Sequence, residues 1–412
     1  MSEKVTSLAS GNEGNLRDHA FGYLARVKGG DMGSMPAILG VIILAGVFEF
    51  LSPFFITKLN FANLFVQSAE LTMLSSALVF VILIAEIDLS AGVTGGVALA
   101  VFIDLIKAEK WPWIPALIAG FVAGILIGVV IGFLVAKIGV PSFVVSLAFF
   151  LGFQGMQLVL LGDGGVYRIE VPAVIAIMNS NLPLWGGWLL LLVCITCSLS
   201  FSIWDRGRRA RTGLDNKPLS IVVIRLGILS MLGTAAVYYM NLNRSMGQVP
   251  IKGVPIVTPI TIVILAIGTF VLDRTRFGRH LYAVGGNPEA ARRAGIKVVG
   301  IRISAFIICS FLAVVSGVFH ASRIGSVDGT AGHTIVLSGV AAAVVGGVSL
   351  FGGRGRLAHA AIGALVISMI DNGLGLLQMP AGISYLVQGG VLLMAATIDA
   401  LSRRRNGSVS RT

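Results

Sequence analysis

Six ionisable side chains fall inside the long apolar runs of this sequence: Glu49, Glu70, Asp104, His320, His333 and Asp371. A charge at the centre of a bilayer costs about 2.5–3.5 kcal/mol on insertion scales, so each requires a reason. Several lie near the ends of their runs, where the side chain reaches the polar interface. Asp371-Asn372 lies deep within one. Cys194 and Cys197 have the spacing of a half metal site, but no second cysteine pair or histidine cluster accompanies them. They read as small residues on a helix surface, and no disulfide framework is implied. The signatures H-E-x-x-H, G-x-S-x-G and G-x-G-x-x-G are missing, and the dipeptide Gly-Lys does not occur, which excludes a Walker A loop on this chain.

One stretch departs from the apolar character around it: Ala283 to Lys297, "AVGGNPEAARRAGIK". It has the grammar of a short, well-delimited helix. Asn287 is a good N-cap, Pro288 suits the first helical position, and Glu289 favours the positive end of the helix dipole. Arg292 and Arg293 stand toward the negative end, and Gly295 can close the helix in a left-handed turn. Two turns span about 10 Å, and an isolated helix that short is unstable in water, so it must dock on something. Two readings remain: an amphipathic turn resting on the membrane surface, or a lever gripped by a partner, for which an alanine face with charged edges would fit a groove.

The elements that carry these residues follow from composition. The chain has 412 residues, 56% of them hydrophobic and only 12% charged, against about 25% charged in a soluble domain. The bilayer is the better solvent for such a sequence, and 52 glycines suit closely packed membrane helices. An all-α, polytopic membrane protein is expected. Twelve candidate spans are counted, roughly 37–56, 62–85, 90–106, 113–136, 140–161, 184–204, 220–240, 256–272, 303–321, 333–350, 357–377 and 382–401. The third is short and the tenth broken by glycine, so either is a candidate half-span. Gly120, Gly124, Gly128 and Gly132 line one face of the fourth, a packing surface.

The net charge of +12 sits in the loops, which argues for membrane topology and against a nucleic-acid face. With both termini in the cytoplasm, 24 of the 31 Lys and Arg residues lie inside and 7 outside. The polar segment 1–35 reads as an uncleaved cytoplasmic tail, 36–402 as the membrane domain with a charged loop at 273–302, and 403–412 as a second tail.

Five stretches, in order from about residue 60 to the C-terminus, resemble the sugar-importing ABC permeases of the ribose/xylose type. "YAVGGNPEAARRAGI" (282–296) resembles their Glu-Ala-Ala coupling loop, and "EIDLSAG" (86–92) their Ile-Asp-Leu-Ser-x-Gly signature. "VPSFVVSLAFFLGFQG" (140–155), "VVGGVSLFGGRGRL" (344–357) and "DNGLGLLQMP" (371–380) resemble a Pro-Ser-Phe span, a double-glycine loop and an Asn-Gly-Leu span. Ser146 stands where threonine is usual. Ribose-type members have about ten spans, and the pair at about 184–240 resembles the longer xylose-type members.

The resemblance implies a monosaccharide importer subunit of the bacterial inner membrane, with a pentose such as xylose as the expected cargo. It implies two permease copies, separate ATPase subunits that carry ATP and magnesium, and a periplasmic or lipid-anchored sugar-binding protein. No cofactor is expected on this chain. Asn287, Pro288, Glu289, Ala290, Ala291 and Gly295 would couple to the ATPase, with Arg292 and Arg293 as edge contacts. Asp88 and Ser90 read as helix caps at a break between spans, or as a structural break beside the pore. Gly346, Gly347, Gly352 and Gly353 permit a tight turn. Gln154, Gln157, Asn372 and Gln388 are candidates for the sugar path, since amides donate and accept without charge; amides that bond neighbouring helices are equally common. The rival readings are a proton-coupled sugar carrier using Glu70 and Asp371, and an ABC permease for branched-chain amino acids.

Overall fold

A computed structural model describes residues 35–162, 165–213, 219–245, 247–330 and 332–409, with side chains up to Leu401. The tails expected at 1–35 and 403–412 lie outside the described residues, except that the first helix begins at Met35 and the last runs on to Val409. The basic loop after Asp205 is described only as far as Gly213.

The chain is all-α and polytopic. In order it forms α1 (Met35–Leu51), α2 (Lys58–Ile82), α3 (Ala91–Lys107), α4 (Trp113–Phe133, continued by a wide turn Leu134–Ile138) and α5 (Ser142–Leu161). A short strand β1 (Val166–Arg168) and α6 (Pro172–Asn179) precede α7 (Leu184–Arg211) and α8 (Leu219–Asn241). Then come α9 (Val257–Arg274), α10 (Arg276–Gly286), α11 (Pro288–Arg293) and α12 (Val298–Ile324). Strand β2 (Ser326–Asp328), α13 (Ile335–Val345), α14 (Leu357–Leu376) and α15 (Ala381–Val409) complete it. The two strands pair antiparallel, Val166 opposite Asp328.

Each expected segment contains a helix, although the first, Met35–Leu51, has only 17 residues. Among the described residues nine helices are long and apolar enough to cross a membrane. The glycine-broken tenth candidate is α13, 11 residues long. At about 1.5 Å per residue it covers roughly half of a 30 Å hydrocarbon core. The short third candidate is the 17-residue α3, buried along nearly its whole length.

The described chain forms two compact units. The smaller holds α7 and α8, the pair read as additional to a ten-span core. It is closed by Arg244, whose guanidinium donates to the Met240 and Gly253 carbonyl oxygens at 2.8 and 3.0 Å and to the Asn181 amide oxygen. The larger unit is built around α2, α3 and α12. Helix α12 packs on α2, α3 and α4, and α14 packs on α1, α2 and α13.

Small residues set these crossings. On α4, Gly120, Gly124, Gly128 and Gly132 are all buried, and a methyl group at Gly128 would sit 2.8 Å from the Phe306 carbonyl oxygen and 2.9 Å from the Ile307 Cα. Gly95 of α3 likewise faces the Ala313 carbonyl at 2.6 Å from where a Cβ would stand. The backbones therefore touch, and dispersion over that contact replaces the hydrophobic drive that lipid cannot supply. Gly128→Leu is expected to cost about 1–3 kcal/mol or more by overpacking. Gly152→Leu, on α5 with nothing within 4 Å, is the control. Thermal unfolding of the two variants in detergent reads the difference.

Candidate functional site: the α10–α11 lever and its seat

The segment from Thr275 to Lys297 folds as its sequence predicts. Thr275 caps α10, its hydroxyl accepting from the Gly278 amide at 3.2 Å. Asn287 caps α11, its amide oxygen accepting from the Ala290 N–H at 3.0 Å, with Pro288 in the first turn. Gly295 takes a left-handed φ of +83°, and the amides of Gly295 and Ile296 close on the carbonyls of Arg292 and Ala291. The Arg292 Nη2 donates to both Glu289 carboxylate oxygens, at 2.8 and 2.9 Å, in a solvent-exposed pair. Such a surface pair contributes little stability, about 0–1 kcal/mol.

Burial separates the two faces of this element. Within α11 only Ala291 is buried; Pro288, Glu289, Ala290, Arg292 and Arg293 are exposed, as are Asn287 and Gly295. Helix α10 supplies the docking surface through Gly278, Leu281, Val284 and Gly285. The lever is therefore anchored by α10 and presents α11 outward.

Its seat is made of backbone. A methyl on Gly285 would overlap the Leu83 carbonyl oxygen, where the chain leaves α2. That same oxygen accepts from the Gly353 amide at 2.9 Å. Gly352 (φ +77°) lies against Ala85, which itself holds a left-handed φ of +59°, rare for a residue with a side chain. The Tyr282 hydroxyl donates to the Gly355 carbonyl at 2.8 Å, and burial pushes its pKa up to about 12, so it stays a donor throughout the physiological range. Arg302 reaches Glu86 at 3.4 Å. Three segments thus meet at one point: the end of α10, the turn after α2 and the loop before α14.

The double-glycine loop serves this junction. Gly346 lies against the His359 carbonyl with no room for a side chain, Gly347 is left-handed at φ +102°, and the Ser349 amide donates to the Arg354 carbonyl at 3.0 Å. Asp88 follows the Ala85 turn and is buried, its carboxylate accepting from the Ser90 amide at 2.9 Å and from the Ser90 hydroxyl. The expectation that Ser90 caps α3 needs correction. Its hydroxyl makes no cap bond and turns back to Asp88, so Asp88 alone accepts from an amide at this helix start. The Cys309 thiol lies 3.7 Å from the other Asp88 oxygen.

The four amides expected along a sugar path are not brought together by hydrogen bonds. Gln157 is fully buried on α5 and donates to the Val93 carbonyl of α3 at 3.1 Å, while Gln154 is half-buried. Asn372 exchanges hydrogen bonds with Asn60 at 2.7 and 2.9 Å and donates to Gln67 at 3.2 Å. Gln388 accepts from Ser338 at 2.7 Å and donates to Asp371. Asn372 and Gln388 therefore brace helices.

Sequence reasoning singled out Glu70 and His320 separately but neither joined them nor included Arg323. Glu70 is buried on α2 with its carboxylate 2.8 Å from the His320 Nδ1 and 3.2 Å from the Arg323 Nε, both on α12. The signal available was the three-residue spacing of His320 and Arg323, which places both on one helix face.

Comparison with known proteins decides the family. Residues 60–396 match the model of the branched-chain amino acid transport system permease component family. The chain belongs to that family of transport permeases. It is similar to the xylose transport system permease protein XylH of Escherichia coli K12, 33% identical over 85% of this chain and 87% of the relative. The ribose import permease protein RbsC of Bacillus subtilis 168 is 30% identical over 90% of this chain and 94% of the relative. The D-allose transport system permease protein AlsC of Escherichia coli K12 is 27% identical over 87% and 89%. No solved structure matches the chain. The resemblance read from the five motifs holds: this is an ABC permease of the ribose/xylose type, a multi-pass inner-membrane transport subunit and not an enzyme.

Proposed function

We propose that this permease moves a pentose, xylose in the first instance, across the inner membrane, driven by ATPase subunits that grip α11 on the cytoplasmic side. The observation that carries the reading is the lever itself. A capped helix held by one buried residue offers Glu289, Ala290, Arg292 and Arg293 to a partner, while α10 ties it rigidly to the end of α2 and the loop before α14. A push on α11 is thereby delivered to two helices of the central unit. ATP and magnesium belong to the partner, in keeping with a chain that lacks a Walker A loop. A second permease copy and a sugar-binding protein outside complete the importer.

Reconstitution with candidate ATPase and sugar-binding subunits tests the reading. Labelled xylose uptake is expected to need ATP. Glu289→Ala is expected to reduce it about tenfold or more, the loss implied by one charge-assisted contact of about 1.5–3 kcal/mol. Gly295→Val, which strains the left-handed close of α11 by about 1–2 kcal/mol, is expected to reduce it as well. Uptake that survives ATP depletion under a proton gradient would instead favour a proton-coupled carrier. That rival drew on Glu70, which His320 and Arg323 hold in place. The family description supports one alternative cargo, so leucine is the competitor to include; uptake of leucine and not of xylose would overturn the substrate assignment.

A further inference from the structure

At the end of α3 remote from the lever's seat, the chain builds a second recess that the transport reading does not use. It is a cavity of about 400 Å³ between the last turns of α3 and strand β1. That is the size range of small-molecule sites. Its walls are apolar: Phe102, Ile103 and Ile106 from α3, and Ile169 and Val171 after β1. Its mouth carries three cations, Lys107, Lys110 and Arg168, and one acid, Glu170.

The mouth is held in shape. Lys110 takes a left-handed φ of +53°, and the next amide, Trp111, closes on the Leu105 carbonyl at 2.9 Å. The Lys107 ammonium lies 5.2 Å from the centre of the Tyr167 ring, a cation–π contact. The Ile169 amide donates to the Gly325 carbonyl at 2.9 Å, pinning the far wall. Among the described residues no carboxylate lies within 4.0 Å of any of the three cations. Three basic groups therefore share one opening with a single acid and no ion pair.

Depth is indicated by the neighbouring side chains. Trp111 and Trp113 are exposed just beyond the mouth. Exposed tryptophans at a span end mark the boundary between headgroups and acyl chains. Cations at that boundary above an apolar slot match an amphiphile with an anionic head and hydrocarbon tail. A soluble anion would leave the part-exposed Ile106 and Val171 wet, and an acidic protein loop would have no use for them.

We propose that this recess is a binding site for an anionic phospholipid, its phosphate held by Lys107, Lys110 and Arg168 and the first part of an acyl chain laid against Ile106 and Val171. The site reads the lipid class by charge and the lipid's attachment to the membrane by the apolar walls.

The test uses the full chain purified in neutral detergent. Phosphatidylglycerol and phosphatidylcholine are titrated separately, and retained lipid is counted by native mass spectrometry alongside the thermal midpoint. The wild type is expected to retain phosphatidylglycerol preferentially and to be stabilised by it. The triple variant Lys107→Gln/Lys110→Gln/Arg168→Gln is expected to lose at least about tenfold in that retention, since each basic residue near an anionic surface supplies roughly fivefold. A charge-keeping set, Lys107→Arg/Lys110→Arg/Arg168→Lys, should restore it. Ile106→Asn, which leaves the cations in place, should also weaken retention. Equal retention by wild type and the triple glutamine variant would overturn the proposal. So would full stabilisation by soluble glycerophosphate, which would make the site one for free anions. A triple variant that keeps its lipid but no longer responds to the sugar-binding protein would overturn it in favour of a protein contact.

Discussion

Gly285→Ala is expected to abolish transport while the protein still inserts and folds as a helical bundle. The added methyl has nowhere to go, because the Leu83 carbonyl oxygen occupies its position and the Gly353 amide stands 2.8 Å away. Both neighbours are backbone, so neither can yield by a rotamer change. Helix α10 must lift off its seat, and the Gly353-to-Leu83 hydrogen bond is lost or displaced. The strain is of order 1–3 kcal/mol, enough to unseat a peripheral element without unfolding the central helices. Gly286→Ala is the matched control, since a methyl there meets nothing within 4 Å. Uptake and ATPase activity measured on the reconstituted assembly are expected to separate in Gly285→Ala, with ATP hydrolysis no longer producing transport. Gly286→Ala should behave as wild type. Coupled transport at the wild-type rate in Gly285→Ala would show that the junction does not carry the signal.

The second large effect concerns stability. Glu70→Ala leaves His320 and Arg323 facing an emptied, apolar position beside Gly92, Gly96 and Leu99. Removing one partner of a buried ionic group destabilises by about 3–5 kcal/mol. The lower end applies here, because His320 and Arg323 are partly exposed. Glu70→Gln, which keeps an acceptor for the His320 ring, should cost less. Removing the whole cluster with Glu70→Leu/His320→Leu/Arg323→Leu should be less damaging than the single alanine change, because no group is then left unpaired. Thermal midpoints of the three variants in detergent check the order. If Glu70→Ala proves as stable as the wild type, the cluster is not a brace between α2 and α12.

What was legible in the sequence was what is local. The N-cap Asn287, Pro288 in the first turn and the left-handed Gly295 interact within a few residues, so their types and order suffice to predict α11. The glycine face of α4 was legible for the same reason, a repeat along one helix. The seat of the lever was not, since it is made of main-chain atoms of Leu83, Gly285 and Gly353, and a backbone contact leaves no trace in residue type beyond the glycines that permit it. The Glu70 cluster joins residues 250 positions apart, and no period or motif connects them. Asn372 was legible only as a pair of alternatives. An amide in a span suits a sugar path or a helix brace equally, and the bracing partners, Asn60 and Gln67, lie 312 and 305 positions away in sequence.

Site-specific cross-linking from Ala290 tests the central claim most directly. That residue is exposed on α11, and the native Cys194, Cys197 and Cys309 can be replaced to leave one thiol, in an Ala290→Cys variant. In membranes containing the whole importer, this thiol is expected to join the ATPase subunit, with a yield that changes when nucleotide binds, and to react with a small reagent only from the cytoplasmic side. An assembled, active importer in which Ala290→Cys captures no ATPase, or is labelled only from outside, would contradict the account.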